Sequence, residues 1–520
     1  MSNAEPPQEA VHSVMTTRRF GILFAFSALF VASLVPYLLY RNILHQNYLN
    51  ASLDSYPTPK EIALKLHCPG RPNTTADGLE EKPPLFKLPL RTRGRNIIDS
   101  SGERVKLMSI NWYGASDEDF VPGGLDVRHR KEIAATIREM GFNSVRLPYS
   151  DELVLTNPDV PEKFWSKNSD LTSWKKRKEA GGLEDENVQR TRDPPSTYHV
   201  NFENEGTNNT LTVKALDIFD AVVKSLTDEG IAVIVNNHIT QARWCCDANL
   251  CDATWANDYL GKVCRISQTE EQWIQNWEKV MRNYVDNSLV IGADLRNENR
   301  SPLGKMLWSS WATAAEKAAN RLHALQPNWL MFVEGVASAN YLQGVRSRPI
   351  NLLIPDRVVY SAHVYGWSGW GSLLKGPYWS RDYASFAYDM YDNWGFLLEE
   401  NIAPVWIGEF GAPDVPNTGD VNYWTHLMNF LEEMDADWGY WAINPRKPKE
   451  NEAETYALIR DDWVTPKCDY RLYDLMVKLG LKPYDSTAPT TSTSTSTSQP
   501  TKAPVQPSTG NGKQAPIEYI

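Results

Sequence analysis

The stretch VIGADLRNENR, Val290 to Arg300, joins an apolar run to an abrupt polar stop. The run arrives at Asn297-Glu298 and then dissolves into Asn299, Arg300, Ser301 and Pro302. A short apolar run bounded by turn residues reads as a strand buried on both faces. Seven other stretches share the plan: KLMSINWYG (106–114), SVRLPYS (144–150), AVIVNNHI (232–239), LMFVEG (330–335), VVYSAHVYG (358–366), PVWIGEFG (404–411) and WGYWAINP (438–445). Between them lie stretches with helical spacing of apolar residues, among them HRKEIAATIREMG (129–141), VKALDIFDAVVKSLTDEG (213–230) and WATAAEKAANRLHAL (311–325). Eight alternating strand and helix units predict a parallel sheet that closes on itself, a (β/α)8 or TIM barrel, over residues 85–485.

Two insertions interrupt the alternation. Residues 151–212 include the charged patch KKRKEAGGLEDENVQRTRDPPS, which is expected to be a mobile surface excursion. Residues 240–269 hold Cys245, Cys246, Cys251 and Cys264, while Cys68 and Cys468 flank the domain. In an oxidising compartment these read as disulfides, and their spacing matches no common zinc pattern. We expect two bridges within the loop, whose pairing the sequence leaves open, and one from Cys68 to Cys468.

Outside the barrel, FGILFAFSALFVASLVPYLLY (20–40) carries no charge and follows Arg18-Arg19. It is long enough to cross about 30 Å of hydrocarbon, and longer than the roughly 7–15 apolar residues of a cleaved signal. The expected organisation is a cytoplasmic tail (1–19), one transmembrane signal anchor (20–40), a polar stalk (41–84), the barrel, and a Ser/Thr/Pro-rich tail (486–520) that cannot form a core. That makes a single-pass type II membrane protein with its domain extracellular or lumenal; the alternative is secretion after signal cleavage. Sequons at Asn50, Asn73 and Asn208 fit a secretory route. The net charge of −11, with no basic stripe, argues against a nucleic-acid partner. We expect no metal, no cofactor, and a chain that acts as a monomer.

In such a barrel, functional side chains gather at the C-terminal ends of the strands. Those ends carry Asn111-Trp112, Arg146, His238, Asn297-Glu298, His363 with Tyr365, Glu409 and Trp441. Glu298 and Glu409 fall on the fourth and seventh candidate strands, which can face each other across an eight-membered ring. Two facing carboxyls are what glycosidic cleavage needs: one protonates the leaving oxygen and the other supports the developing oxocarbenium ion. At about 5–5.5 Å apart the second attacks directly and configuration is retained. Repulsion between the two would raise one pKa and keep that acid protonated.

These residues carry a resemblance to glycoside hydrolase family 5, the cellulase family of retaining (β/α)8 hydrolases, over residues 85 to about 480. It rests on Arg296-Asn297-Glu298, His363-Val364-Tyr365 and WIGEFG (406–411), in the family's order. Asn111-Trp112-Tyr113-Gly114, VRLP around Arg146, Asn237-His238 and the closing Trp441 add to it. The resemblance implies Glu298 as acid/base and Glu409 as nucleophile. It also implies that Asn297 binds the sugar 2-hydroxyl and that Arg146 and Tyr365 orient Glu409. His238 and His363 would line the reacting subsite, with Trp441 as its floor and Trp112 nearby. The implied substrate is a β-linked polysaccharide, first an endo-cleaved β-1,4-glucan. The alternatives are a catalytically weak or inactive glycan-binding wall protein, or a β-glucosidase or glycosylceramidase acting on glycolipids. Trp367, Trp370 and Trp379 are candidates for stacking on pyranose faces. Asn299 stands where the family usually has Pro or another non-polar residue, and it creates a sequon that is expected to stay bare.

Overall fold

The computed structural model describes residue 76 and residues 80–173, 211–246, 249–300, 307–369, 375–447 and 452–483. Eight parallel strands close into a barrel in strict chain order. They are β1 Met108–Asn111, β2 Ser144–Ser150, β3 Ala232–Ile239, β4 Val290–Asp294, β5 Leu330–Glu334, β6 Val358–His363, β7 Val405–Phe410 and β8 Asp437–Tyr440. Each candidate run therefore holds one barrel strand. Several stop earlier than the apolar pattern suggests: Trp112, Glu298, Tyr365 and Trp441 all lie beyond the last residue of their strand.

The crossover helices are α1 Arg130–Glu139, α2 Ala215–Asp228, α3 Glu270–Met281, α4 Trp308–Leu325, α5 Tyr383–Met390, α6 Thr418–Met434 and α7 Tyr470–Val477. Helices α3 and α6 begin with capping boxes, Thr269 with Gln272 and Asn417 with Asp420, which satisfy N-terminal donors on both sides of the start. Between β5 and β6 there are only two short helical segments, Val336–Ala339 and Gln343–Arg346.

Alternation along each strand divides the core. In β3, Val233 and Val235 face outward into the large cluster under the helices, while Ala232 and Ile234 face inward. The inward cluster also holds Leu330, Phe332, Val359 and Trp406, and Leu90 and Ile97 from the N-terminal hairpin (Arg91–Arg93 with Asn96–Ile98). The bottom of the barrel is thus an apolar plug.

One strand breaks the alternation at a decisive place. In β7, Val405 and Ile407 face outward and Trp406 inward, so simple parity would send Glu409 outward. The register against β6 shifts so that Ala362 pairs with Ile407 but His363 pairs with Glu409, leaving Gly408 as an extra residue. This bulge turns Glu409 inward, as bulges beside functional sites often do. Only glycine fits there, since a Cβ at 408 would lie 2.8 Å from Ser361 Oγ and 3.1 Å from His363 Nε2.

The insertion after β2 is tied down at its base. A short helix, Asp151–Thr156, leads to Asp159–Pro161, which pairs antiparallel with Thr212–Lys214. Asp151 is fully buried and pairs with Arg296 at 3.2 Å. The insertion is therefore anchored at both ends, and the charged patch expected to be mobile lies outside the described residues. In the cysteine loop the bridges are Cys245–Cys246 and Cys251–Cys264. Cys468 is also disulfide-bonded, while Cys68 lies outside the described residues. So do the tail at 1–19, the apolar run at 20–40, the residues from 484 onward and the sequons at Asn50, Asn73 and Asn208. Among the described residues no helix is long and apolar enough to cross a membrane. Asn299 is fully buried, which leaves no surface for a glycan to join.

Candidate active site

The mouth of the barrel is organised around Arg146, which has no exposed surface. All five of its N–H donors are engaged. Nε donates to Asp294 at 2.7 Å, Nη1 to Asn111 at 3.1 Å and to Glu409, and Nη2 to Asn297 at 2.7 Å and Glu334 at 3.0 Å. A planar fork with five fixed donors can hold such a set, and a lysine could not. Burial opposes the arginine's charge, but Asp294, Glu409 and Glu334 outweigh it and raise its pKa further. Glu409 is gripped from both sides, by Arg146 on one oxygen and by the Tyr365 hydroxyl at 2.9 Å on the other.

Glu298 enters from a different route. After β4 ends, Leu295 N–H still donates to Phe332 and Asn297 N–H to Asn237, so the chain stays pinned between β3 and β5. Glu298 itself adopts φ +45°, the left-handed region that few non-glycine residues occupy. Its side chain is 15% exposed and points into the cleft. Burial pushes its pKa up to about 7, against smaller lowering by Arg300 and Arg146. A carboxylic acid in this position holds its proton near neutrality, as a general acid requires.

His363 joins the two carboxyls. Its Nδ1 lies 3.1 Å from Glu298 Oε1 and 3.7 Å from Glu409 Oε2, and carboxylate oxygens of both residues and this nitrogen lie within 4.8 Å of one another. Burial first, and Arg146 further, bring its pKa down to about 4, against an opposing effect of Glu409. The ring is therefore neutral and acts as a hydrogen-bonding partner. These three donors have the spacing of a metal-ligand trio, yet the buried Arg146 cation beside them opposes a second positive charge.

A cleft of ≈ 340 Å³ opens above these groups, lined by His238, Trp244, Cys245, Cys246, Asn297, Glu298, Tyr365, Trp367, Glu409, Trp441 and Tyr456 among others. Trp441 stacks on Tyr113 (4.9 Å between centroids) and on His238 (5.7 Å), which fixes its plane. His238 is kept neutral by burial and bonded through Nδ1 to Asn236 at 2.8 Å. Trp367 stacks on Tyr365 at 4.4 Å and keeps 44% of its surface exposed. Among the described residues Asn297 Nδ2 meets only the Cys245 and Cys246 sulfurs, at 3.5 and 3.3 Å. Sulfur is a weak acceptor, so this donor is available to a better one.

The structure thus brings together Arg146, His238, Asn297, Glu298, His363, Tyr365, Glu409 and Trp441. Trp112 is the exception. It is fully buried, belongs to the core under the helices, and donates Nε1–H to Gly123. Tyr113, one residue on, is the ring that reaches the mouth. Trp379 does not line the cleft either, and Trp370 lies outside the described residues. Sequence reasoning passed over Asp294, Glu334 and Asn236, all without exposed surface. A signal existed, since each is a polar group inside an otherwise apolar strand.

A closed parallel barrel with two carboxyls meeting at its C-terminal mouth defines a class, the barrel glycoside hydrolases. The comparisons narrow it. The family model for cellulase (glycosyl hydrolase family 5) matches residues 190–447, just under half of the chain. An endoglucanase of Paenibacillus polymyxa is 28% identical over 402 residues, covering 73% of this chain and 85% of that relative. The major extracellular endoglucanase of Xanthomonas campestris pv. campestris is 25% identical over 397 residues, covering 72% and 68%. Among solved structures, a cellotetraose complex of an endocellulase from Pyrococcus horikoshii superposes with a TM-score of 0.57 at 23% identity, covering 76% of this chain and 100% of that one.

Proposed function

We propose that the protein is a retaining endo-β-1,4-glucanase in which Glu298 is the acid/base and Glu409 the nucleophile. The observation that carries this reading is the approach of their carboxylate oxygens to within 4.8 Å. That agrees with the roughly 5–5.5 Å separation of retaining enzymes and falls short of the roughly 6.5–9.5 Å at which inverting enzymes hold a water between their carboxyls.

In the first step Glu298 passes its proton to the glycosidic oxygen while Glu409 attacks the anomeric carbon from the opposite face. The C–O bond to the leaving chain breaks as the glycosyl ester forms. In the second step the Glu298 carboxylate takes a proton from water, which displaces Glu409 and restores both groups. Arg146 and Tyr365 hold Glu409 in line, and Asn297 offers Nδ2–H to the sugar 2-hydroxyl. Trp441, its plane set by Tyr113 and His238, is the platform for the reacting sugar, and Trp367 extends the apolar wall. The names of the relatives, endoglucanase and endocellulase, support a β-1,4-glucan chain as the substrate.

The charge-free run at 20–40 supports a signal anchor that holds the 85–485 domain outside the cytosol, and the name of the Xanthomonas relative agrees with an extracellular site of action. Glu298→Gln and Glu409→Gln are expected to abolish hydrolysis of cello-oligosaccharides with the fold intact by circular dichroism. Wild-type kcat/KM is expected to decline as pH rises through about 7, where Glu298 loses its proton. Full activity in either variant overturns the assignment.

A further inference from the structure

Glu334 is a carboxyl with no exposed surface, at the end of β5, that the mechanism above leaves idle. A buried carboxyl is costly unless its partners compensate, and an apolar residue of similar volume would suit a barrel interior better. Its contacts show what it is there for. Oε2 accepts the backbone N–H of Glu298 at 2.6 Å. Oε1 accepts Arg146 Nη2 at 3.0 Å and lies 3.4 Å from His363 Nε2. One carboxyl therefore touches the acid's backbone, the arginine that grips Glu409, and the histidine that lies between the two glutamates.

The bond to Glu298 N–H falls at the residue whose backbone is in the left-handed region, at φ +45°. For an L-residue that conformation is unfavourable and persists only where the surroundings fix it. Glu298 follows a strand that has already ended, so the strand ladder cannot fix it. From this geometry, and resting on the reading of Glu298 as acid/base, we propose that Glu334 is the positioning residue for the acid/base. It locks the Glu298 backbone so that the side chain meets the leaving oxygen. It also lies 3.4 Å from Nε2 of His363, the ring whose Nδ1 meets the Glu298 carboxyl. The nucleophile is not its target, because Arg146 keeps Asp294, Asn111, Asn297 and Glu409 without it.

The test separates the two steps of protonation and attack. A 2,4-dinitrophenyl cellobioside has a leaving group that needs no proton, whereas cellotetraose does. Glu334→Gln is expected to lower kcat/KM for cellotetraose on the order of 10²-fold, the usual worth of a positioned general acid, and to lower it less than about 10-fold for the dinitrophenyl substrate. Glu334→Asp keeps the charge but withdraws the oxygen by one methylene, and should show the same split if the Gln variant folds poorly. Glu298→Gln run alongside supplies the reference, and Glu334→Gln added to it should cause no further loss on the dinitrophenyl substrate. Equal losses on both substrates, or no loss on either, overturn the role of Glu334. Activity retained by Glu298→Gln on cellotetraose overturns instead the reading on which it rests.

Discussion

At the bottom of the barrel, Ile234, Leu330, Phe332 and Trp406 fill the space between the strands. A few residues further along the same strands, Asn236, Glu334 and Glu409 take their place, joined by Arg146 and Asp294. Both halves are buried, and most of these residues have no exposed surface at all. The lower half needs only shape and apolar area, because burial there is favourable without partners. The upper half is stable only as a set. Arg146 neutralises part of the charge of Asp294, Glu334 and Glu409, and each carboxyl finds further donors. Burial raises the pKa of Glu334 well above the carboxylate range, with Asp294 adding to the effect and Arg146 opposing it. This half has been kept for chemistry at the expense of stability.

The contrast can be broken most severely at its centre. Arg146→Met leaves three buried carboxyls without their cation and is expected to cost about 3–5 kcal/mol of stability and on the order of 10³-fold in kcat. Chemical denaturation and steady-state kinetics would show both losses together. In the lower half, Phe332→Ala should cost a similar 3–5 kcal/mol by opening a cavity, but with kcat within about 2-fold of wild type well below the melting temperature. A large fall in kcat for the folded variant would show that the halves are coupled.

A smaller effect has the opposite sign. The Glu298 pKa is raised from an ordinary 4.5 to about 7 in the fold, so the folded state holds this proton more tightly than the unfolded chain. Its contribution is fully present below about 4.5 and is lost as pH rises through 7. Glu298→Gln, which cannot ionise, should therefore melt near wild type at pH 4 and above it at pH 8. A difference in melting temperature that does not change with pH contradicts the burial of this carboxyl.

The eight strands were legible because each is a run of apolar residues of strand length, and six of the seven connections between them hold a crossover helix. The residues that meet at the mouth were legible for a similar reason, since they stand where those runs stop. Trp112 shows the limit of that rule. It stops its run too, but the chain turns there so that Trp112 enters the core and Tyr113 the mouth. The inward turn of Glu409 depends on the extra residue Gly408, and a period of two cannot reveal a bulge. Glu334 was visible as a polar group in an apolar strand, but its partner is a backbone N–H in an irregular turn, which side-chain pattern does not show. The pairing of Cys245 with Cys246 was likewise set by the fold of the loop.

The central claim is that two carboxyls this close work by double displacement. Proton NMR of the first hemiacetal released from cellotetraose, recorded before mutarotation, tests it most directly. The account predicts that the β-anomer appears first and the α-anomer grows in later. Initial appearance of the α-anomer would contradict the account, since it requires a water between Glu298 and Glu409.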